Sequence, residues 1–261
     1  MTPSQQRTLR LVVSTVIAGL LVAMICIEIQ QIVPSGGGWT IAQDFTVLRD
    51  AAAGWLGGGS FYPDYELAGP FWIGLSDVLY PPPALLLFAP FTALPAFLWW
   101  LIPLAALGLM VAACRPRPVA VLAIVACFLY PKSIALILAG NPAIWLAAAM
   151  ALGARWGWPA VVFIFKPTLA PLALVGVRHR SWWVAVGVAA VVSLAFFSMW
   201  PDYVTVLQNA QNPRGPLYSI GDIPLVLIGV VAWAGRKRSG SDARSQSPTS
   251  GHLPPSLAAD P

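Results

Sequence analysis

The sequence predicts an all-α protein, a polytopic transmembrane helical bundle, on three observations. Apolar residues make up 58% of the chain and charged residues only 10%, where an ordinary soluble domain carries roughly 25% charge, and the mean hydropathy is +0.74. The apolar residues gather into long runs without period-two alternation. In lipid such runs must be helices, because every backbone polar group has to be satisfied within its own segment. Finally, arginine and lysine cluster at the ends of these runs rather than within them, the distribution that orients membrane helices.

Taken in order, Arg7 and Arg10 precede an apolar run at 11–27, just long enough to span a core of about 30 Å. The residues after it, Glu28-Ile29-Gln30-Gln31, lack a small-residue cleavage pattern, so the run reads as a signal anchor and not a cleaved signal. Residues 29–80 form an outer loop rich in Gly, Asp, Trp and Tyr, with a helix expected at 42–56 and stopped by Gly57-Gly58-Gly59. Pro81-Pro82-Pro83 introduces a partly inserted helix at 84–91, and a second span follows at 96–113, closed by Arg115 and Arg117.

A third span is expected at 119–130, broken by Pro131-Lys132-Ser133, and a fourth at 141–152, lengthened by residues 134–140 and ending at Arg155. Lys166-Pro167 interrupts the apolar stretch between Arg155 and Arg178-His179-Arg180. Either one span crosses there, or two half-helices form a hairpin with Lys166 at its tip; the hairpin is preferred because it keeps both arginine ends on one side. Residues 182–199 then run outward, 200–220 form a second outer loop, and a last short span at 223–234 is closed by Arg236-Lys237-Arg238. The expected organisation is a bundle over 1–235 and a disordered cytoplasmic tail over 236–261, rich in Ser, Pro and Gly.

This map, with about six crossings and a hairpin, places Arg7, Arg10, Arg115, Arg117, Arg155, Arg178, Arg180, Arg236, Lys237, Arg238 and Arg244 in the cytoplasm with both termini. Only Arg49, Lys132, Arg214 and the hairpin-tip Lys166 fall outside. Eight of the ten acids, Glu28, Asp44, Asp50, Asp64, Glu66, Asp77, Asp202 and Asp222, lie on the outer side. Carboxylates direct topology weakly, so their crowding there points to a function on that face.

Composition excludes several classes. The net charge of +5 and pI near 9.4 come from scattered residues and never build an aromatic-interleaved basic face, so no nucleic acid is expected. Cys26, Cys114 and Cys127 lie in or beside apolar runs without CxxC spacing and read as small buried hydrophobes. His179 and His252 have no ligand spacing, so no metal site and no cofactor is expected. Phosphate-binding glycine loops and the GxSxG elbow are also missing from the chain. A transporter finds little support, for want of inverted repeats and intramembrane charges.

The reactive groups concentrate in the first outer loop: Asp44, Arg49 and Asp50 on one expected helix, then Tyr62, Asp64 and Tyr65, then Asp77 and Tyr80. Partial desolvation by Phe45, Trp55 and Trp72 would raise an aspartate toward general-base range; alternatively Asp44 caps the helix that follows it. Lys166, the one charge in its stretch, needs a lipid phosphate or a carboxylate as compensation, or must snorkel to water. Trp99, Trp100, Trp182, Trp183 and Trp200 sit at run ends and read as interfacial anchors.

The pieces Asp44-Phe45 with Ala51-Ala52, Gly57-Gly58-Gly59-Ser60-Phe61-Tyr62, Tyr80-Pro81-Pro82, Leu87-Phe88-Ala89-Pro90-Phe91 with Leu94-Pro95, Gly140-Asn141 and Lys166-Pro167 form an ordered series. Over roughly residues 10–235 that series resembles the glycosyltransferase family 87 (DUF2029) membrane proteins. The resemblance implies a GT-C fold and transfer of a hexose, mannose above all, from a polyprenyl-phosphate donor to a glycolipid or cell-wall glycan on the outer face of the cell membrane. It implies Asp44 as general base; beside it Arg49, Asp50, Tyr62, Tyr80, Asn141 and Lys166 are the expected substrate-binding residues. Relatives continue with further spans, so the alternative is a shortened, non-catalytic relative that binds lipid-linked sugar or a membrane partner.

Overall fold

Each apolar run expected in the sequence and lying within the described residues becomes a helix, although several are broken by prolines and glycines. The computed structural model describes residues 41–74, 77–212 and 215–236; the expected first span at 11–27 and most of the basic tail lie outside them. Helix α1, Gln43–Leu56, buries Phe45, Leu48 and Ala52, the one-face spacing of an amphipathic helix. It stops at Gly57, whose N–H donates to the Ala53 carbonyl at 3.0 Å. After α2, Asp64–Ala68, strand β1, Phe71–Trp72, pairs in parallel with β2, Ala210–Gln211, which ties the segment after α1 to the segment after α8.

The proline-led stretch Pro82–Thr92 is short helical turns that bury Leu85, Phe88 and Phe91. Helix α3 is Leu98–Cys114. Helices α4, Pro118–Leu129, and α5, Pro131–Ala139, meet at a 58° bend. Here one expectation fails: residues 134–140 do not lengthen the following span. Pro131 lacks an amide hydrogen and starts a new helix at its first position, and Gly140, at φ 69, closes it in the left-handed conformation. Helix α6 therefore begins only at Ala143 and runs to Trp156.

The interrupted stretch forms a hairpin of two 3₁₀ arms, Trp158–Phe165 and Pro167–Gly176. Lys166 joins them in extended conformation, with φ −126 and ψ 92. The open ends of the arms meet so closely that a Cβ on Gly176 would lie 2.5 Å from the Gly157 carbonyl oxygen. Helix α7, Arg180–Ala195, turns by 72° into the stretch Phe197–Asn209, so the expected second outer loop contains a helix, α8, Trp200–Asn209. The chain returns through α9, Ile223–Val226, and α10, Ile228–Ala234.

Helices α3 and α6 both begin at the Trp99–Trp145 ring pair, 5.4 Å between centroids, and run alongside each other. Helices α9 and α10 lie on α6: Val226 of α9 shares an apolar cluster with Leu146 and Met150, and a Cβ on Gly229 of α10 would stand 2.6 Å from the Ala151 Cα. Gly229→Leu must push the two helices apart, at a cost of about 1–3 kcal/mol; thermal unfolding in detergent should show the lowered midpoint, and Gly229→Leu as stable as the parent would contradict this packing.

Because these helices share a direction, their C-terminal ends gather at one end of the bundle. Arg117 N–H donates to the Gly235 carbonyl at 2.9 Å, Pro116 bridges Arg236, and the Ser181 hydroxyl donates to the Trp156 carbonyl. That end collects Arg115, Arg117, Arg155, Arg180 and Arg236. The opposite end holds Asp44, Glu66, Asp77 and Asp222.

Among the described residues, two flanks of the bundle are apolar and exposed. Helix α4 buries none of its residues, exposing Val119, Leu122 and Leu129, and α7 buries only Trp182 while Val184, Val188, Val191 and Leu194 face outward. Among the described residues no single helix is both long and apolar enough to cross a membrane, whereas the two bent pairs reach that length and composition. Trp99 is not an anchor at a surface. It is 1% exposed, packs on Phe45, Phe88, Phe91 and Trp145, and donates its indole N–H to the Gly140 carbonyl.

Candidate functional site

Asp44 lies in the first turn of α1 but does not cap it. The residue before the helix, Ala42, is left-handed at φ 65 and donates its N–H to the Leu138 carbonyl at 2.8 Å, which fastens the start of α1 to the end of α5. Asp44 Oδ2 instead accepts a 2.6 Å hydrogen bond from Asn141 Nδ2. The other end of the Asn141 amide is also fixed, since its Oδ1 accepts the Ala143 N–H at 2.9 Å and so satisfies one of the unpaired donors at the start of α6.

Glycine at 140 makes this contact possible. A Cβ there would stand 2.7 Å from Phe45 Cβ and 2.8 Å from Trp100 Cζ2, so only a bare backbone lets α1 approach the turn that presents Asn141. Burial pushes the Asp44 carboxyl above the usual carboxylate range. The Asn141 bond and the positive charges of Lys166 and Lys132 pull it partly back, and Asp222 acts in the same direction as burial.

The second part of the site is the hairpin tip. Lys166 Nζ lies 2.5 Å from Asp222 Oδ2, and both side chains are buried, 7% and 5% exposed. Of the compensations open to this lysine in the sequence, the fold supplies a carboxylate, carried by the residue that precedes α9. Beside it runs a narrow cleft lined by Tyr80, Phe88, Pro142, Trp145, Phe165 and Lys166. The Trp145 indole N–H is buried there without an acceptor among the described residues.

Four expected site residues, Asp44, Asn141, Lys166 and Tyr80, therefore come to one end of the bundle around one turn. The other three do not join them. Arg49 and Asp50 pair with each other at 2.8 Å on the exposed side of α1, and Arg49 lies over the Phe45 ring. Tyr62 is 1% exposed, stacked on Tyr203, and donates its hydroxyl to the Tyr80 carbonyl at 2.9 Å. It is a core residue that positions Tyr80, and burial raises its phenol far above the ordinary value.

Sequence reading missed Asp222 as the lysine's partner. The signal was present, in that a buried lysine demands a counter-charge and Asp222 stands at the very edge of an apolar run. Glu66 was also passed over as a site residue. Fully buried, it accepts the Val78 N–H at 2.7 Å and the Tyr65 hydroxyl at 3.3 Å on Oε1, while Oε2 has no partner among the described residues. Asn209 Nδ2 donates to the Glu66 carbonyl at 2.9 Å, so this carboxyl lies where α2 meets the end of α8.

Burial pushes Glu66 up to about 7, with Asp77 adding to the rise and the Val78 and Tyr65 bonds opposing it. A folded-state value above the unfolded one means that ionisation favours the unfolded chain. Stability should therefore fall as pH rises from about 4.5 to about 7 and level off above that. Glu66→Gln, which keeps the Val78 bond, should flatten this slope in thermal unfolding midpoints taken across that window; an unchanged slope would contradict the assignment. Comparison with known proteins finds no matching family model, no matching curated protein and no matching solved structure.

Proposed function

We propose that the protein is a polytopic membrane glycosyltransferase that moves a hexose from a polyprenyl-phosphate donor to a glycolipid or glycan acceptor, with Asp44 as general base. The observation that carries the proposal is the meeting of Asp44, Asn141, Lys166 and Asp222 at the end of the bundle away from the arginines. Membrane insertion is supported by the apolar flanks of α4 and α7, exposed among the described residues, which water would solvate poorly. The collection of Arg115, Arg117, Arg155, Arg180 and Arg236 at one end supports a cytoplasmic placement of that end. The carboxylate end then lies at the outer headgroup level, where a lipid-linked sugar is presented.

In the reaction the acceptor hydroxyl loses its proton to an Asp44 carboxylate oxygen as its own oxygen bonds to the anomeric carbon. The bond from that carbon to the phosphate oxygen breaks, and the electron pair leaves on the polyprenyl phosphate. Asn141 holds one carboxylate oxygen and so orients the other; raised proton affinity suits Asp44 to accept the proton. Because the leaving group already carries phosphate, no nucleotide or metal is required by this scheme.

A second reading, binding of a lipid-linked sugar without transfer, is favoured by one observation: Asp222 already neutralises Lys166, so a donor phosphate meets no net charge at the hairpin tip. Membranes carrying the chain should transfer labelled mannose from a polyprenyl-phosphate donor to extracted glycolipid. Donor binding with no transfer above control membranes would replace the first reading by the second.

A further inference from the structure

We infer that Asp222 is a positioning residue for Asp44: by holding the Lys166 ammonium at the hairpin tip, it keeps a buried cation from taking the Asp44 carboxylate as its counter-ion. The inference rests on the reading of Asp44 as the base, since an aspartate locked in an ion pair cannot accept a proton from a hydroxyl.

Three observations carry it. Lys166 Nζ and Asp222 Oδ2 are 2.5 Å apart with both side chains buried, so that carboxylate offsets the ammonium's charge. Asp44 directs its Oδ2 at a neutral amide, Asn141 Nδ2, 2.6 Å away. The hairpin tip borders the turn that holds Asp44, since Lys166 lines one cleft with Pro142, the residue after Asn141, and the charges of the pair act on Asp44 in opposite senses. The groups facing Asp44 come from every element around it: Asn141 from the turn before α6, Lys166 from the hairpin tip, Lys132 from the first turn of α5, and Asp222 from the approach to α9. Of these, Asp222 alone opposes the lysines.

The arrangement also explains why the hairpin tip carries a lysine and its partner lies far along the chain. Asp222 sits 56 residues after Lys166, so the closing segment of the bundle, and not the hairpin itself, decides which carboxylate the lysine meets. Were the last segment displaced, Asp44 would be the nearest carboxylate left among the groups named above.

The test is the protonation midpoint of Asp44, read by pH-resolved infrared difference spectra of the full chain in detergent, with the carboxylic-acid band assigned by its loss in Asp44→Asn. Asp222→Asn should lower the midpoint by about one pH unit or more, because the carboxylate that offsets the lysine's charge at Asp44 is then gone. Lys166→Met should raise it, and the double variant Lys166→Met/Asp222→Asn should fall below Lys166→Met alone. Asp222→Glu, which restores the counter-charge, should return the midpoint toward that of the parent.

A midpoint in Asp222→Asn equal to the parent's overturns the inference. Should that variant fail to accumulate, Asp222→Ser, which is neutral and smaller and leaves Lys166 in place, is titrated instead, and a midpoint equal to the parent's overturns the inference in the same way. The titration requires no sugar donor. A chain that binds sugar without transferring it would still show the shifts, so failure of the electrostatic coupling and failure of the transferase reading are separate results.

Discussion

Asp44→Asn should reduce hexose transfer by about 10²–10⁴-fold, the usual contribution of a positioned general base, with little change in the amount of folded protein. The replacement is nearly isosteric, and the carbonyl oxygen of the introduced amide can still accept the Asn141 N–H that Asp44 accepts now at 2.6 Å. What disappears is the capacity to take a proton. Initial rates with a labelled polyprenyl-phosphate sugar measure this directly. If Asp44 is the base, transfer by the parent protein should gain rate as pH rises through the raised Asp44 value, since only the ionised carboxylate accepts the proton. A variant with unaltered rate and an unaltered pH profile would remove Asp44 from the chemistry.

The second large effect is on stability. Lys166→Met leaves the Asp222 carboxylate buried, 5% exposed, without its partner, and stranding one member of a buried pair costs about 3–5 kcal/mol. Lys166→Met/Asp222→Asn removes both charges and should recover most of that loss, since neutral side chains of similar volume replace buried pairs at little cost. Denaturant unfolding of the two variants in the same detergent gives the coupling. A single variant no less stable than the double one would mean that the pair is open to water.

The helices were legible because the signals that make them are local. Gly57-Gly58-Gly59 ends α1 where expected, and Lys166-Pro167 divides its stretch into a hairpin because proline removes an amide hydrogen and turns the residue before it toward extended conformation. The separate helix at 131–139 escapes a reading by hydropathy because apolar character continues through Gly140, and only the left-handed φ of that glycine reveals the break. Trp99 read as a surface anchor because position in a run says nothing of which neighbours cover a ring.

The site was half legible for the same reason. Asp44, Asn141 and Lys166 stand out as polar residues beside apolar runs, but their meeting depends on Gly140 admitting α1 at van der Waals distance. The Lys166–Asp222 bond depends on the closing segment of the chain, and no spacing rule links residues so far apart. Arg49 and Asp50 were grouped with Asp44 because they share its helix. Five and six positions further on, they look out from a different side and satisfy each other.

The placement of the two ends relative to the membrane is open to one direct measurement. In a background with its native cysteines replaced, Asp64→Cys and Arg178→Cys, both at exposed positions, are treated with a membrane-impermeant maleimide on intact cells. Labelling of Asp64→Cys in intact cells, with Arg178→Cys reacting only after permeabilisation, is the predicted result. The reverse pattern would put Asp44 on the cytoplasmic side with the arginines' end outside, and would contradict a base that works on lipid-linked sugars at the outer face.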